Sequence, residues 1–255
     1  VEADATALLL LAGVASGLAG SVAGLASLFS YPALLAVGLP PVAANVTNTV
    51  ALLSTTVGAA AGSRAELRGQ RDRAARLVVL AAVGGALGAV LLLSTPDGVF
   101  ELIVPWLIAL GSVLLLVRDR LREFADRRAA ASGARPGGTP LAVAVVLVGL
   151  YGGYFGAAAG VLMLAVLSVS ATEPLAVSNA VKNLATGGAN LVAAIGYAFL
   201  APVHWTAAAV LACGALAGSW IGPALVRRLP ERPLRVAIAL AGFGLAAHLW
   251  LSAVS

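Results

Sequence analysis

Charge is what this sequence has least of. Only 11% of its 255 residues are Asp, Glu, Lys or Arg, where a soluble domain carries about 25%. That shortage excludes a surface facing water on all sides. Lysine is nearly missing: Lys182 stands alone beside fifteen arginines. Cysteine is nearly missing too. Cys213 is the only one, so a disulfide framework and a cysteine metal site are both excluded. It lies inside an apolar run and reads as a small packing residue. Aromatic residues make up 5% and do not interleave with a basic stripe. Nucleic-acid binding is therefore excluded despite the net charge of +5 and the pI near 10.1. No glycine-rich nucleotide-phosphate motif occurs either.

Apolar sequence fills the space. Hydrophobic residues form 60% of the chain and the mean hydropathy is +0.99. Runs of 18 or more apolar residues with few charges read as membrane spans. Their length and weak period-two signal exclude a β-barrel. The expected fold is all-α, a polytopic membrane protein forming a single transmembrane domain over 1–255. Eight segments are expected: 6–37, 42–62, 77–94, 100–117, 141–169, 175–200, 205–226 and 234–251. The opening VEADATA lacks the basic start of a signal peptide, so the first run is read as part of the mature fold.

The two halves of the chain resemble each other. GLAGSVAG at 17–24 echoes GYFGAAAG at 153–160, GGALGAV at 84–90 echoes GALAGSW at 214–220, and LPPVAANVTN at 39–48 parallels TEPLAVSN at 172–179. Ordered matches of this kind indicate internal duplication, with repeats over 6–117 and 141–252 joined by a linker at 118–140. Duplicated halves are common in transporters, where the site lies between the repeats.

Arginines set the expected orientation. Five lie in loop 63–76 and six in the linker, which puts both in the cytoplasm under the positive-inside rule. Four more at 227–235 belong there as well, but three simple crossings from the linker would place them outside. A re-entrant reading resolves the conflict. GLYGGYFGAAAG at 149–160 breaks its segment into two pieces of about 20 Å, too short to cross. If 6–37 does the same around Gly13–Gly24, the halves are inverted. Eight simple crossings with parallel repeats and one exceptional loop form the alternative.

Polar residues inside the apolar runs point to a site. Asn179, Lys182, Asn183, Thr186 and Asn190 recur on one helix face. In the first half Asn45, Asn48, Thr49, Thr55 and Thr56 do the same. Lysine supplies three donors and a compact charge, asparagine two N–H donors, and helix starts near Pro41 and Pro174 add partial positive charge. The stripes contain no Asp or Glu, so they suit an anion and not a metal ion. Gly20, Gly24, Gly156 and Gly160 would let backbone approach the ligand, with close helix packing as their competing role. His204 and His248 read as interface residues.

The tandem glycine clusters, SNAVKNLATGGAN and the GALAGSW helix resemble the TauE/SafE family of sulfite and organosulfonate exporters over about 10–249. The resemblance implies export of a small sulfur-containing anion across the cell membrane, with no cofactor. A second reading remains, since Ser178 and Lys182 are four residues apart and a desolvated lysine can serve as base for a serine nucleophile. Between monomer and homodimer the sequence does not choose.

Overall fold

The computed structural model describes residues 3–132, 138–170, 173–225 and 231–254. Arg227, Arg228 and positions 133–137 of the linker lie outside them. The described chain is all-helical, as expected. Ten helices follow in order: α1 Ala3–Ala23, α2 Ser27–Ala36, α3 Pro41–Gly62, α4 Arg71–Ser94, α5 Asp97–Ser132, α6 Thr139–Tyr154, α7 Ala159–Ser170, α8 Leu175–Leu200, α9 Trp205–Leu225 and α10 Glu231–Val254. Ten replace the eight apolar segments because the first segment of each half is broken. Beyond the apolar run, α5 continues to Ser132, so most of the charged stretch once read as linker is helix. Its Arg127–Glu123 pair spans one helical turn at 3.7 Å.

The breaks fall where the backbone leaves helical space. Gly24 ends α1 at φ +75, and Gly156 turns the α6–α7 connection at φ +78. A side chain is disfavoured in that region, which is why glycine serves there. Ala158 follows at φ 58, the one non-glycine residue with positive φ among those described.

Helix directions follow from which glycines meet which turns. Gly13 and Gly17 of α1 lie against Leu211, Ala215 and Ser219 of α9, while Gly214 and Gly218 lie against Leu10 and Val14. The two helices therefore run parallel, close enough that any Cβ would strike backbone. The same relation joins α6 and α4: Gly84 meets Val146 and Leu150, and Gly88 meets Leu150 and Tyr154. These seams are small-xxx-small packing, the way membrane helices approach without a hydrophobic driving force. Between α3 and α9, Thr47 accepts a hydrogen bond from the His204 N–H at 2.9 Å and Gly58 sits against Ser219. Those helices are parallel too, so α1 and α3 start at the same end. Helix α2 returns the chain from the far end of α1 to the start of α3.

At the other end of the molecule, Arg73 in the first turn of α4 pairs with Glu173 at 3.0 Å. Glu173 directly precedes α8, so α7 comes back to the end from which α6 departed. Helices α5 and α10 run antiparallel, with Trp106 edge-on to Trp250 at 5.2 Å and Ser112 against Gly242.

Large apolar side chains cover the outside: Leu147, Phe199, Trp220, Leu240 and Leu251 are all more than half exposed. In water such a surface would aggregate; in lipid it is the ordinary outer face. Among the described residues, four helices are long and apolar enough to cross a membrane: 3–21, 71–94, 97–117 and 176–200. The polar residues turn inward. Asn45, Thr47, Asn48 and Thr49 of α3, and Ser178, Lys182 and Asn183 of α8, are buried.

Candidate functional site

The two helix breaks touch. A Cβ on Gly24 would sit 2.5 Å from the Gly160 Cα, and one on Gly160 the same distance from the Gly24 Cα. Around this crossing lies a cavity of about 60 Å³, counted as space open to the centre of a water molecule. At roughly 10–15 Å³ per water, it has room for a few waters or one small oxyanion group. Gly20, Ser21, Gly24 and Ser27 line it from the first break, and Phe155, Gly156, Ala159 and Gly160 from the second. Helix α3 contributes Asn48, Thr49, Thr55 and Thr56, and helix α8 contributes Asn183, Thr186 and Asn190. No lining residue is Asp, Glu, His, Lys or Arg.

Breaking a helix in an apolar interior exposes four carbonyls at one end and four N–H groups at the next. Side chains meet the carbonyl ends, and those at α1 come from the other half of the chain. Asn179 and Asn183 of α8 each donate an amide N–H to the Ser21 carbonyl of α1 at 3.0 Å. The Lys182 ammonium lies 3.5 Å from the Gly20 carbonyl, and its side chain is fully buried. A cation at a helix C-terminus opposes the negative end of the helix dipole. At α6 the Asn45 amide donates to the Tyr154 carbonyl at 2.9 Å. The Tyr197 hydroxyl donates to the Gly153 carbonyl, and the Tyr151 hydroxyl to Ala157 at 2.7 Å.

The N–H ends behave differently. Helix α2 has no side-chain cap on its first turn, where Ala26 stands at the N-cap. Ala26 and Ser27 at its start and Ala159 and Gly160 at the start of α7 all border the cavity. Two partial positive ends thus face one small space. Asn48 donates to the Ser27 hydroxyl at 3.2 Å, and its own amide oxygen has no partner although the residue is 1% exposed. Turning the amide over lets the Ser27 hydroxyl donate to the oxygen and frees an N–H for the cavity.

The fourteen residues of the two stripes and the glycine clusters are therefore divided. Eleven line the cavity: Gly20, Gly24, Gly156, Gly160, Asn48, Thr49, Thr55, Thr56, Asn183, Thr186 and Asn190. Lys182, Asn179 and Asn45 stand behind it, directed at carbonyl oxygens. Thr49 and Thr186 bond back to Asn45 and Lys182 carbonyls on their own helices, so each hydroxyl proton is already committed. Ser21, Ser27, Phe155 and Met163 were missed. The serines carried a signal, being small polar residues beside a helix-breaking glycine; the apolar pair carried none.

A lipid-facing helical shell around a cavity rich in uncharged donors, where two broken helices cross, defines a membrane transport protein. The sequence model of the family described as Sulfite exporter TauE/SafE matches residues 9–249, and the chain belongs to that transporter family. No curated protein and no solved structure matches it.

Proposed function

We propose that this protein carries a small sulfur oxyanion, sulfite or an organosulfonate, outward across the cytoplasmic membrane by alternately exposing the cavity to its two sides. The observation that carries this reading is the cavity itself: donors and two helix N-termini surround it, and no carboxylate does. An anion held there exchanges hydrogen bonds with water for bonds to backbone N–H groups, Asn48, Asn183 and Asn190. With the cell interior negative, each exported charge gains about 2.3 kcal/mol per 100 mV, so export needs no nucleotide.

We also infer that the halves are inverted repeats, related by a pseudo-twofold through the Gly24–Gly160 contact. Supporting this, α1 pairs with α9 as α6 pairs with α4, and each half begins with a helix that enters, breaks and returns. With α4 beginning in the cytoplasm, the linker and the start of α10 fall on that same side, in keeping with the arginines at 227–235. Cysteines placed at Ala134 and Glu231 in a chain lacking Cys213 are expected to react with an impermeant thiol reagent from one side only.

The hydrolase alternative finds no support. Neither Ser178 nor Lys182 borders the cavity, and the Lys182 ammonium is turned to a helix carbonyl. The test is sulfite efflux from proteoliposomes: Asn48→Leu is expected to reduce it at least tenfold, while Ser178→Ala leaves it within about twofold. Full efflux by Asn48→Leu contradicts the assignment of the cavity.

A further inference from the structure

Helices α4 and α6 touch through Gly84 and Gly88, but toward their starts the same face of α4 carries Leu80, Leu77 and Arg73 instead. A second cavity opens there. It measures about 290 Å³, counted as for the 60 Å³ space at the helix crossing, which approaches the ~300 Å³ at which small-ligand pockets begin. Leu77 and Leu80 of α4 and Leu141 and Ala142 of α6 form its apolar wall. The rest of its lining is charged: Asp72, Arg73 and Arg76. Arg73 is held by Glu173 at 3.0 Å. Arg76, three residues further into α4, makes no ion pair among the described residues. Asp72 stands in the first turn of α4, where a carboxylate offsets the positive end of the helix dipole. Neither α4, at Gln70, nor α6, at Gly138, has a side-chain cap, so both helix starts add partial positive charge. The balance of the cavity is cationic.

Beyond the arginines the same flank turns apolar and faces lipid. Arg76, Leu80, Val83 and Leu87 recur at i, i+4, i+7 and i+11, which places them along one side of α4. Val83 and Leu87 are more than half exposed, and so are Val143 and Leu147 of α6. A cation at the head of an apolar track matches a molecule with an anionic head and a hydrocarbon tail. We infer that this cavity holds an anionic glycerophospholipid, its phosphate on Arg76 and one acyl chain along the α4–α6 flank. Basic pockets between membrane helices take such head groups. The planar guanidinium can offer two parallel N–H donors to two phosphate oxygens, and the chain covers Leu80 and Val83. A soluble phosphate gains the first contact and nothing from the second. A phosphatidylcholine brings its own cation to a site that is already positive. Arg68, in the loop before α4, does not border the cavity and serves as a control for general surface charge.

Native mass spectrometry of the purified full-length protein, titrated with phosphatidylglycerol or phosphatidylcholine, tests the assignment. Phosphatidylglycerol is expected to bind about fivefold more tightly, the preference that one basic residue gives for an anionic lipid. Arg76→Gln removes that preference. Ala142→Phe fills the cavity while leaving every charge in place, and it weakens phosphatidylglycerol by a similar factor. Arg68→Gln changes binding by less than about twofold. Glycerol 3-phosphate, added at the lipid concentration, does not displace the bound lipid. Each variant is first shown to be monodisperse. Equal wild-type affinity for the two lipids overturns the site, as does an unchanged preference in Arg76→Gln or wild-type binding by Ala142→Phe. An equal loss in Arg68→Gln assigns the attraction to diffuse surface charge and overturns it as well. Displacement by glycerol 3-phosphate makes this a site for soluble anions and overturns the lipid assignment.

Discussion

The break after α1 and the break after α6 solve the same physical problem with different chemistry. Each exposes helix carbonyls in an apolar interior, and each borrows an asparagine from the opposite half: Asn179 for the first, Asn45 for the second. The first break then adds an ammonium and a second amide, Lys182 and Asn183. The second adds two phenolic hydroxyls, Tyr151 and Tyr197, and an aromatic cluster. Phe155 stands edge-on to Tyr31 at 5.2 Å and near Phe100 at 6.3 Å. One end is capped by charge and the other by neutral donors packed among rings. Of the two ends, only the first meets a charged side chain.

The comparison breaks most severely where the two halves touch. Gly24→Val puts a branched side chain at φ +75 and into the Gly160 backbone. Left-handed strain alone costs roughly 1–2 kcal/mol, and the clash adds to it. Loss of monodisperse protein on size-exclusion chromatography is expected. Lys182→Met ranks second. It removes the cation from one end only; the Gly20 carbonyl keeps the Gly24 N–H at 2.9 Å, so the loss is that of one hydrogen bond from a charged donor, about 1.5–3 kcal/mol, and the melting temperature falls accordingly. Tyr197→Phe is the matched change at the neutral end and costs about 1 kcal/mol. It is expected to shift the melting temperature by a few degrees and keep anion binding within about threefold. If Tyr197→Phe abolishes binding while Lys182→Met does not, the division of roles between the ends is reversed. Ala158→Gly is the smallest change, relieving the left-handed alanine at φ 58. It is expected to stabilise by under about 1 kcal/mol once the added backbone entropy is counted.

Much of this arrangement was legible from spacing. Positions 179, 182, 183, 186 and 190 fall on one face because a helix repeats every 3.6 residues, and the glycine clusters marked both breaks. Spacing could not say what that face meets. Asn179 and Asn183 share a stripe, yet both reach the Ser21 carbonyl and only Asn183 also borders the cavity. The demand for donors at that point comes from a helix end more than 150 residues away in sequence. Glycine was ambiguous for a similar reason. Gly13 and Gly17 admit a neighbouring helix, while Gly20 and Gly24, one turn further, border the cavity. A stripe of small residues looks alike in both roles.

The central claim is that the Lys182 charge, held behind the cavity at the end of α1, gives the site its preference for anions. The direct measurement is flux of radiolabelled sulfite in proteoliposomes carrying the wild type, Lys182→Arg or Lys182→Met, each first shown monodisperse and folded. Lys182→Arg is expected to retain measurable flux because the charge remains, and Lys182→Met to lose about a hundredfold or more. Wild-type flux through a folded Lys182→Met protein would contradict the account.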